Sequence, residues 1–222
     1  MKNLINLCVL ILTVMVMTSC PGPESPAPDN TEITTNDLAN YYLVAEHKTG
    51  GNRLIVMSFA MHGDVMKSSA HLQGALRVNE IKVENSTFKF DYNSNGESMY
   101  TFTLRKDASG NLQLQSYDFT YNGVTNQLSQ AVLVKKSDAP AIINKTFWVD
   151  ALGFKIEMEG SQHVLQWIDG KRYASYTLDN YGFKTNADEL MGVVVPAWTI
   201  NGKNLPGMLV ESGDKVTLGV LK

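Results

Sequence analysis

The stretch Asp91–Gly96 (DYNSNG) has a spacing that could bind a metal ion. It matches the opening of a calcium loop, D-x-D/N-x-D/N-G, in which alternate side chains supply oxygen ligands and the glycine permits a sharp turn. The twelfth position of such a loop should be a Glu that binds through both oxygens, but here it is Phe102. Because one carboxylate and two neutral amides bind calcium weakly, we predict a solvent-exposed hairpin turn.

Two of the four histidines lie nine residues apart and close to methionines, an arrangement that could ligate haem or a soft metal. They are His62 and His71, with Met61 and Met66 beside them. No His-x-x-x-His pair and no Glu-flanked histidine pair occurs. The sequence therefore predicts packed or solvated histidines, with no metal and no cofactor.

The sequence lacks the patterns of the common nucleophilic enzymes. There is no G-x-S-x-G motif, no S-x-x-K motif in a suitable context and no glycine-rich phosphate loop. The stretch from Met66 to Ser69 places its lysine before its serines, which reverses the useful order. We predict no catalytic residues and no enzymatic activity.

Aromatic residues beside turn-forming residues are candidate ligand contacts. Trp and Tyr offer an apolar face and a polar tip, which suits sugar rings or a protein partner. We predict an exposed ligand-binding surface near Trp198, with Tyr181 and Tyr173 as neighbours. The alternative is that Trp198 folds back onto the core. Trp148 and Trp167 lie inside apolar strands and are predicted to be core residues.

The N-terminus has the parts of a secretory signal peptide: Lys2, an apolar run over Leu4–Met17, and the small residues Thr18 and Ser19 before Cys20. The run is shorter than the roughly 20 apolar residues of a membrane span. The proline-rich stretch that follows can bury too little apolar surface to fold. We predict a signal peptide over residues 1–19 and a tether over residues 20–36.

The end of this leader, Met17-Thr18-Ser19-Cys20, resembles the lipobox of bacterial lipoproteins, in which a peptidase cuts before a cysteine that carries lipid. The usual Leu three residues before the cysteine is replaced by Met17. The resemblance implies that acyl chains such as palmitate on Cys20 anchor the protein to a membrane, and several chains on one residue anchor stably. Since Pro21 and not Asp follows the cysteine, the resemblance favours the outer membrane of the cell envelope.

Composition excludes several classes of protein. Once residues 1–19 are removed, only Cys20 remains, which excludes disulfides, thiolate catalysis and cysteine-ligated metals from the body. The formal net charge of the whole chain is −3. A nucleic-acid partner would need a basic patch, so none is predicted.

Residues 37–222 form a predicted β domain of many short strands. Phe88, Phe90 and Tyr92 alternate with polar residues, as in a half-buried strand, and Asn-Gly and Asp-Gly pairs separate such stretches. We predict an all-β fold, an antiparallel barrel or sandwich with at most one short helix. Residues 61–76 lack the alternation and are predicted to hold that helix or a long loop.

A weak internal sequence similarity is relevant to the domain organisation. Residues 88–104 and 164–178 both read as strand, Gly-containing turn and strand, and they end in Tyr-Thr-Phe-Thr-Leu and Ser-Tyr-Thr-Leu, respectively. If this similarity reflects a repeat, the β domain consists of two similar β units divided near residues 137–144. Otherwise it is one barrel of lipocalin-like size.

Together these features predict a lipid-anchored cell-envelope protein that is a non-catalytic binding module for a small hydrophobic molecule or a carbohydrate. The first alternative is a structural, assembly or adhesion lipoprotein that binds a protein partner. The second is a haem-binding or hydrolytic lipoprotein. An apolar cavity favours the binding module, and a large exposed apolar patch favours the protein partner.

Overall fold

The computed structural model describes residues 32–47, 52–72, 75–126, 128–139, 144–157, 164–166, 172–178, 181–185 and 190–221. The signal peptide, Cys20 and the tether up to residue 31 lie outside the described residues. In the part of the chain that is described, no helix has both the length and the apolar character needed to cross a membrane.

The all-β prediction is confirmed, because the described chain consists mainly of antiparallel strands. The strands are, in chain order, β1 (Tyr41–His47), β2 (Arg53–His62), β3 (Val65–Leu72), β4 (Ala75–Glu80), β5 (Val83–Glu84), β6 (Thr87–Asp91), β7 (Ser98–Lys106), β8 (Leu112–Tyr121), β9 (Val124–Asn126), β10 (Gln130–Lys135), β11 (Thr146–Val149), β12 (Phe154–Glu157), β13 (Val164–Gln166), β14 (Arg172–Leu178), β15 (Gly182–Thr185), β16 (Leu190–Ile200), β17 (Lys203–Ser212) and β18 (Lys215–Leu221). The helical segments among the described residues are short 3-10 turns at Thr35–Asn40, Lys136–Asp138 and Asp150–Leu152.

The strands form three sheets. Sheet A has the order β10-β1-β2-β3-β4, and sheet B has the order β5-β6-β7-β8-β9. The C-terminal sheet has the order β12-β11-β18-β17-β16-β15-β14-β13, and its two outermost strands, β12 and β13, contact each other. This sheet therefore curls into a half-barrel, while sheets A and B face each other as a sandwich.

Sheet A is the middle layer of the molecule, because it packs on both of its faces. Successive side chains of a strand point to opposite faces. Leu43 and Ala45 of β1 pack into the core shared with sheet B. Tyr42 and Val44 pack into the core shared with the C-terminal sheet. For this reason β1 is apolar at nearly every position (YYLVAEH) and not at alternate ones.

The core between sheets A and B is rich in aromatic rings. The ring centroids of Phe88 and Phe102 are 5.0 Å apart, and those of Tyr100 and Phe119 are 4.6 Å apart. Phe59 of sheet A meets Phe88 edge to face at 5.5 Å. Aromatic pairs at these distances contribute about 0.5–1.5 kcal/mol each beyond the burial of their area.

The core between sheet A and the C-terminal sheet combines close packing with a buried side-chain hydrogen bond across the layers. The hydroxyl of Tyr42 donates to the carbonyl of Val194 at 2.7 Å. Gly192 lies under the ring of Phe183, where a Cβ atom on residue 192 would stand 2.2 Å from the ring carbon Cε1. Any larger residue at position 192 must therefore displace that ring.

The prediction of a helix or long loop over residues 61–76 is wrong. These residues complete β2, form β3 and begin β4. In β3 the buried residues alternate, and they are Met66, Ser68, Ala70 and Leu72. The alternation is hard to recognise in the sequence because two of the four inward positions carry the small residues Ser68 and Ala70.

In chain order, the strands of sheets A and B end with β10 at Lys135, and those of the C-terminal sheet begin with β11 at Thr146. The two stretches with weak internal similarity are both antiparallel hairpins, β6 with β7 and β13 with β14. They belong to different architectures, since the first hairpin is in the five-stranded sheet B and the second is at one end of the eight-stranded half-barrel.

Candidate functional site

The predicted exposure of Trp198 is wrong. Its side chain is 3% exposed and packs in the core between sheet A and the C-terminal sheet. The pairing of β16 with β17 shifts by one residue between Val195 and Trp198, which marks a β-bulge. The bulge leaves Pro196 and Ala197 exposed and turns the indole inward.

The predicted exposure of Tyr181 is also wrong. This residue is 3% exposed, and its ring stacks on the ring of Tyr42 with centroids 3.9 Å apart and planes 2° from parallel. Tyr173 lies in β14 opposite Leu165, and its side chain is outside the described part of the structure. The binding role of these three aromatics stays a prediction, and the burial of two of them gives it no support.

His62 and His71 lie at opposite ends of the β2–β3 hairpin. His62 is opposite Val65, whereas His71 is opposite Val56, six residues away along β2. At about 3.3 Å per residue the two histidines are roughly 20 Å apart, which is too far to share a metal or a haem iron. Among the described residues no group of three or more His, Cys, Asp or Glu side chains could hold a metal ion.

The Asp91–Gly96 loop is a turn that uses its own carboxylate. Asp91 Oδ2 accepts the backbone N–H of Gly96 at 2.7 Å, and Asn95 Oδ1 accepts the N–H of Glu97 at 3.1 Å. Ser94 and Gly96 have positive φ values of 57° and 80°, which such tight turns require. Two of the oxygens that calcium would need therefore already close the turn.

Among the residues that the structure describes, an open cleft of about 640 Å³ lies where the chain crosses from sheet A to sheet B. We call it the corner cleft. It is lined by Glu80, Ile81, Lys82, Glu84, Asn85, Thr87 and Lys89. Its volume is within the range of small-molecule pockets, about 300–1,000 Å³.

Local contacts fix the crossing that forms the corner cleft. The N–H of Ile81 donates to the carbonyl of Met66 at 3.0 Å, and the Ile81 side chain is 2% exposed. The N–H of Val83 then donates to Thr35 Oγ1 at 3.0 Å. Asn85 and Ser86 follow with φ values of 49° and 61°, the two left-handed residues of a type I′ hairpin turn between β5 and β6.

The lining of the corner cleft offers both signs of charge, and six of its seven residues are polar or charged. Glu80 and Lys82 form an ion pair at 3.6 Å, with side chains 51% and 72% exposed. Such an exposed pair is worth about 0–1 kcal/mol, so both groups can exchange it for a ligand. Thr87 Oγ1 lies 3.2 Å from Thr103 Oγ1 and extends the polar lining onto the outer face of sheet B.

A second, smaller cleft of about 370 Å³ lies between the first 3-10 turn and the β7–β8 turn. Its polar groups already bond to one another. Lys135 Nζ donates to Asn111 Oδ1 at 2.9 Å, and the N–H of Leu112 donates to the Tyr41 hydroxyl at 3.0 Å. The corner cleft has fewer such internal bonds, so it is the better candidate for binding.

A buried polar cluster joins sheet A to the C-terminal sheet. Glu211 is 7% exposed, and its Oε2 accepts the N–H of Leu54 at 2.6 Å. Arg53 Nη1 is 3.9 Å from Glu211 Oε1, and Arg53 Nη2 is 2.5 Å from Asp214. Burial raises the pKa of Glu211, against the N–H of Leu54 and the charge of Arg53, which lower it. Arg53 and Leu54 belong to sheet A, whereas Glu211 and Asp214 belong to β17 and the turn after it, so the cluster is a contact between these two layers and not an open site.

Sequence reasoning missed the corner cleft because its lining comes from the ends of two sheets. The turn at Asn85 and Ser86 is the one feature of the cleft that the sequence could have indicated, since Asn is common where φ is positive.

In comparisons with known proteins, the chain matches no family model, no curated protein and no solved structure.

Proposed function

We propose that this protein is a lipid-anchored, non-catalytic component of a bacterial cell envelope, and that it binds a polar small molecule or a glycan in the corner cleft. The observation that carries the binding role is the open cleft of about 640 Å³ lined by ammonium, carboxylate, amide and hydroxyl groups. Those groups donate and accept hydrogen bonds, as a hydroxylated or zwitterionic ligand requires.

The lining favours a polar ligand over the hydrophobic one that the sequence left open. Ile81 is the only large apolar residue of the lining, and it is buried. An apolar ligand would leave the charged groups of Glu84 and Lys89 without water or partners, which is costly. A sugar or a zwitterion would exchange their bound water for hydrogen bonds of its own.

The binding role is tested with a glycan array and a panel of polar small molecules, read out by the shift in the melting temperature of the full chain. A ligand present at 100 times its Kd should stabilise the folded state by about 2.7 kcal/mol. Lys89→Ala and Lys82→Ala should weaken binding, whereas Lys203→Ala and Lys215→Ala, at exposed positions of the C-terminal sheet, should not. Binding that all four variants leave unchanged would place the ligand elsewhere.

The anchoring role is tested separately, because it depends on the leader and not on the cleft. Cys20→Ser should abolish labelling by radioactive palmitate and release the protein from the membrane fraction. Labelling of the variant at the level of the unaltered chain would refute lipidation at Cys20.

The alternative role, contact with a protein partner, is supported by a different feature. Leu76 and Val78 are 48% and 47% exposed on β4, the outermost strand of sheet A. The haem-binding alternative has no such support, given the distance of roughly 20 Å between His62 and His71.

A further inference from the structure

We infer that the free edge of β4 receives an extended segment of a protein partner, which adds a strand to sheet A. Among the described strands, β4 pairs only with β3. This surface is distinct from the lining of the corner cleft, except that β4 ends at Glu80, the first residue of that lining.

The backbone of β4 is oriented for such pairing. The N–H of Ile81 points to β3, since it donates to the carbonyl of Met66 at 3.0 Å. The N–H and C=O groups of alternate residues in a strand point to the same side. Those of Leu76, Val78 and Glu80 therefore point away from β3, toward the open edge.

The edge has no proline and no bulge, and its exposed carboxylate, Glu80, lies at the end of the strand. Proteins protect an exposed edge with outward-pointing charges, prolines or bulges. The central charge of β4, Arg77, is folded back, with its guanidinium carbon 5.5 Å from the ring centroid of Tyr92. Its Nη1 also donates to the carbonyl of Leu76 at 3.3 Å, a long bond that a partner's N–H can replace.

The exposed side chains of β4 continue an interface that is already present in the molecule. Cross-strand neighbours run in one row from Val44 through Val56 and His71 to Leu76, on the face of sheet A that the C-terminal sheet covers. Val44 and Val56 are buried there, whereas Leu76 is not. The C-terminal sheet thus covers one end of this face and leaves the other end for a partner.

The geometry defines the chemistry of the partner. Apolar residues at alternate positions are needed opposite Leu76 and Val78, with backbone hydrogen bonds along the edge. Beyond Glu80 the chain leads into the charged corner cleft, so a charged residue should follow the apolar positions and reach Lys82 or Glu84. The partner is therefore an extended segment with alternating apolar residues and a charged end.

The test uses a phage-displayed library of random linear peptides, panned on the purified full chain. We expect enriched peptides with apolar residues at alternate positions, and amide chemical-shift changes concentrated in residues 75–80 when such a peptide is added. Enrichment without this pattern, or shifts confined to another surface, would overturn the inference.

Val78→Pro is the decisive variant, because the N–H that it removes points to the open edge and takes no part in pairing with β3. Proline is tolerated in an edge strand at such a position. We expect the melting temperature to change little and peptide affinity to fall at least tenfold, about 1.4 kcal/mol. Thr125→Pro on β9, the outermost strand of sheet B, is the matched control, because the N–H of Thr125 also points away from the neighbouring strand, and it should leave peptide affinity unchanged.

Two further results would contradict the inference. A wild-type chain that is dimeric in analytical ultracentrifugation, and monomeric as Val78→Pro, would show that a second copy occupies the edge. Unchanged peptide binding by Val78→Pro would show that β4 is not the site. Lys89→Ala, which should weaken ligands of the corner cleft, should leave peptide binding intact, so failure of one proposal does not imply failure of the other.

Discussion

Sheets A and B each have five strands, but they bury their residues differently. Sheet B has one apolar face, toward sheet A, and a polar outer face that carries Thr87, Thr101 and Thr103 on adjacent strands. Sheet A has two apolar faces, because the C-terminal sheet covers the second one over β1, β2 and β10. A strand in which apolar and polar residues alternate therefore packs against one neighbouring layer, whereas a uniformly apolar strand such as β1 packs against two.

The largest loss of stability is expected when a core residue of the C-terminal sheet, the layer that covers the second face of sheet A, is truncated. Trp198→Ala should lower the free energy of unfolding by roughly 3–5 kcal/mol, because the indole is packed in the core between sheet A and the C-terminal sheet. Chemical denaturation measures this loss. A loss below about 1 kcal/mol, together with ready quenching of the native indole by iodide, would mean that this layer does not cover sheet A in solution.

A smaller loss is expected from the single hydroxyl that connects the two layers. Tyr42→Phe leaves the buried carbonyl of Val194 without its donor and should cost about 1–3 kcal/mol. Tyr121→Phe is the matched control, because Tyr121 is 45% exposed on sheet B, and it should change stability by less than about 0.5 kcal/mol. Equal effects of the two variants would contradict the difference between the sheets.

One buried polar residue on the inner face of sheet A, His47, should make the free energy of unfolding depend on pH. His47 is 5% exposed against Tyr100 and Phe119, and neither ring nitrogen has a hydrogen-bond partner among the described residues. Burial, and then the charge of Arg53, lower the pKa of His47. Between this lowered pKa and the unfolded value of about 6.5, the unfolded state binds more protons.

The His47 contribution to stability is therefore fully present above about pH 6.5 and is lost as the pH falls through the lowered pKa. His47→Phe should reduce the slope of the unfolding free energy against pH on the acid side, whereas His62→Phe, at an exposed position, should retain it. Urea denaturation at a series of pH values provides the measurement. An unchanged slope in His47→Phe would assign the pH dependence to other groups.

The smallest effect should come from the outer face of sheet B. Thr101→Val keeps the β-branched shape and removes one hydroxyl from a polar face, so stability should change by less than about 0.5 kcal/mol. Thermal unfolding is sufficient to measure this. A marked stabilisation would indicate that this face is covered by another layer, as in sheet A.

The difference between the sheets also explains how much could be predicted from the sequence. The alternation of Phe88 and Phe90 has period two because β6 has one buried face, so these strands and the all-β class were predictable. The inward turn of Trp198 depends on a one-residue bulge, which no local pattern indicated. Ser68 and Ala70 in β3 face a crowded core, and their small size conceals a strand.

The candidate site was the least predictable part of the molecule. Its lining residues, such as Glu80 and Lys89, are ordinary exposed charges in the sequence, and only the crossing between sheets brings them together. Leu76 is the last residue of the stretch predicted to be a helix or loop, and Val78 lies just beyond it, so the edge position of this exposed pair could not be recognised.

The buried start of the described chain determines how far the corner cleft can move from a lipid anchor. Ile33 is 8% exposed in the core, and Lys106 Nζ donates to the carbonyl of Glu32 at 3.1 Å. Thr35, two residues later, contacts Val83 beside the cleft. The eleven residues between Cys20 and Glu32 span at most about 40 Å. If Cys20 carries the proposed lipid, Glu32 stays within about 40 Å of the membrane surface, and the cleft can meet only ligands that come near that surface.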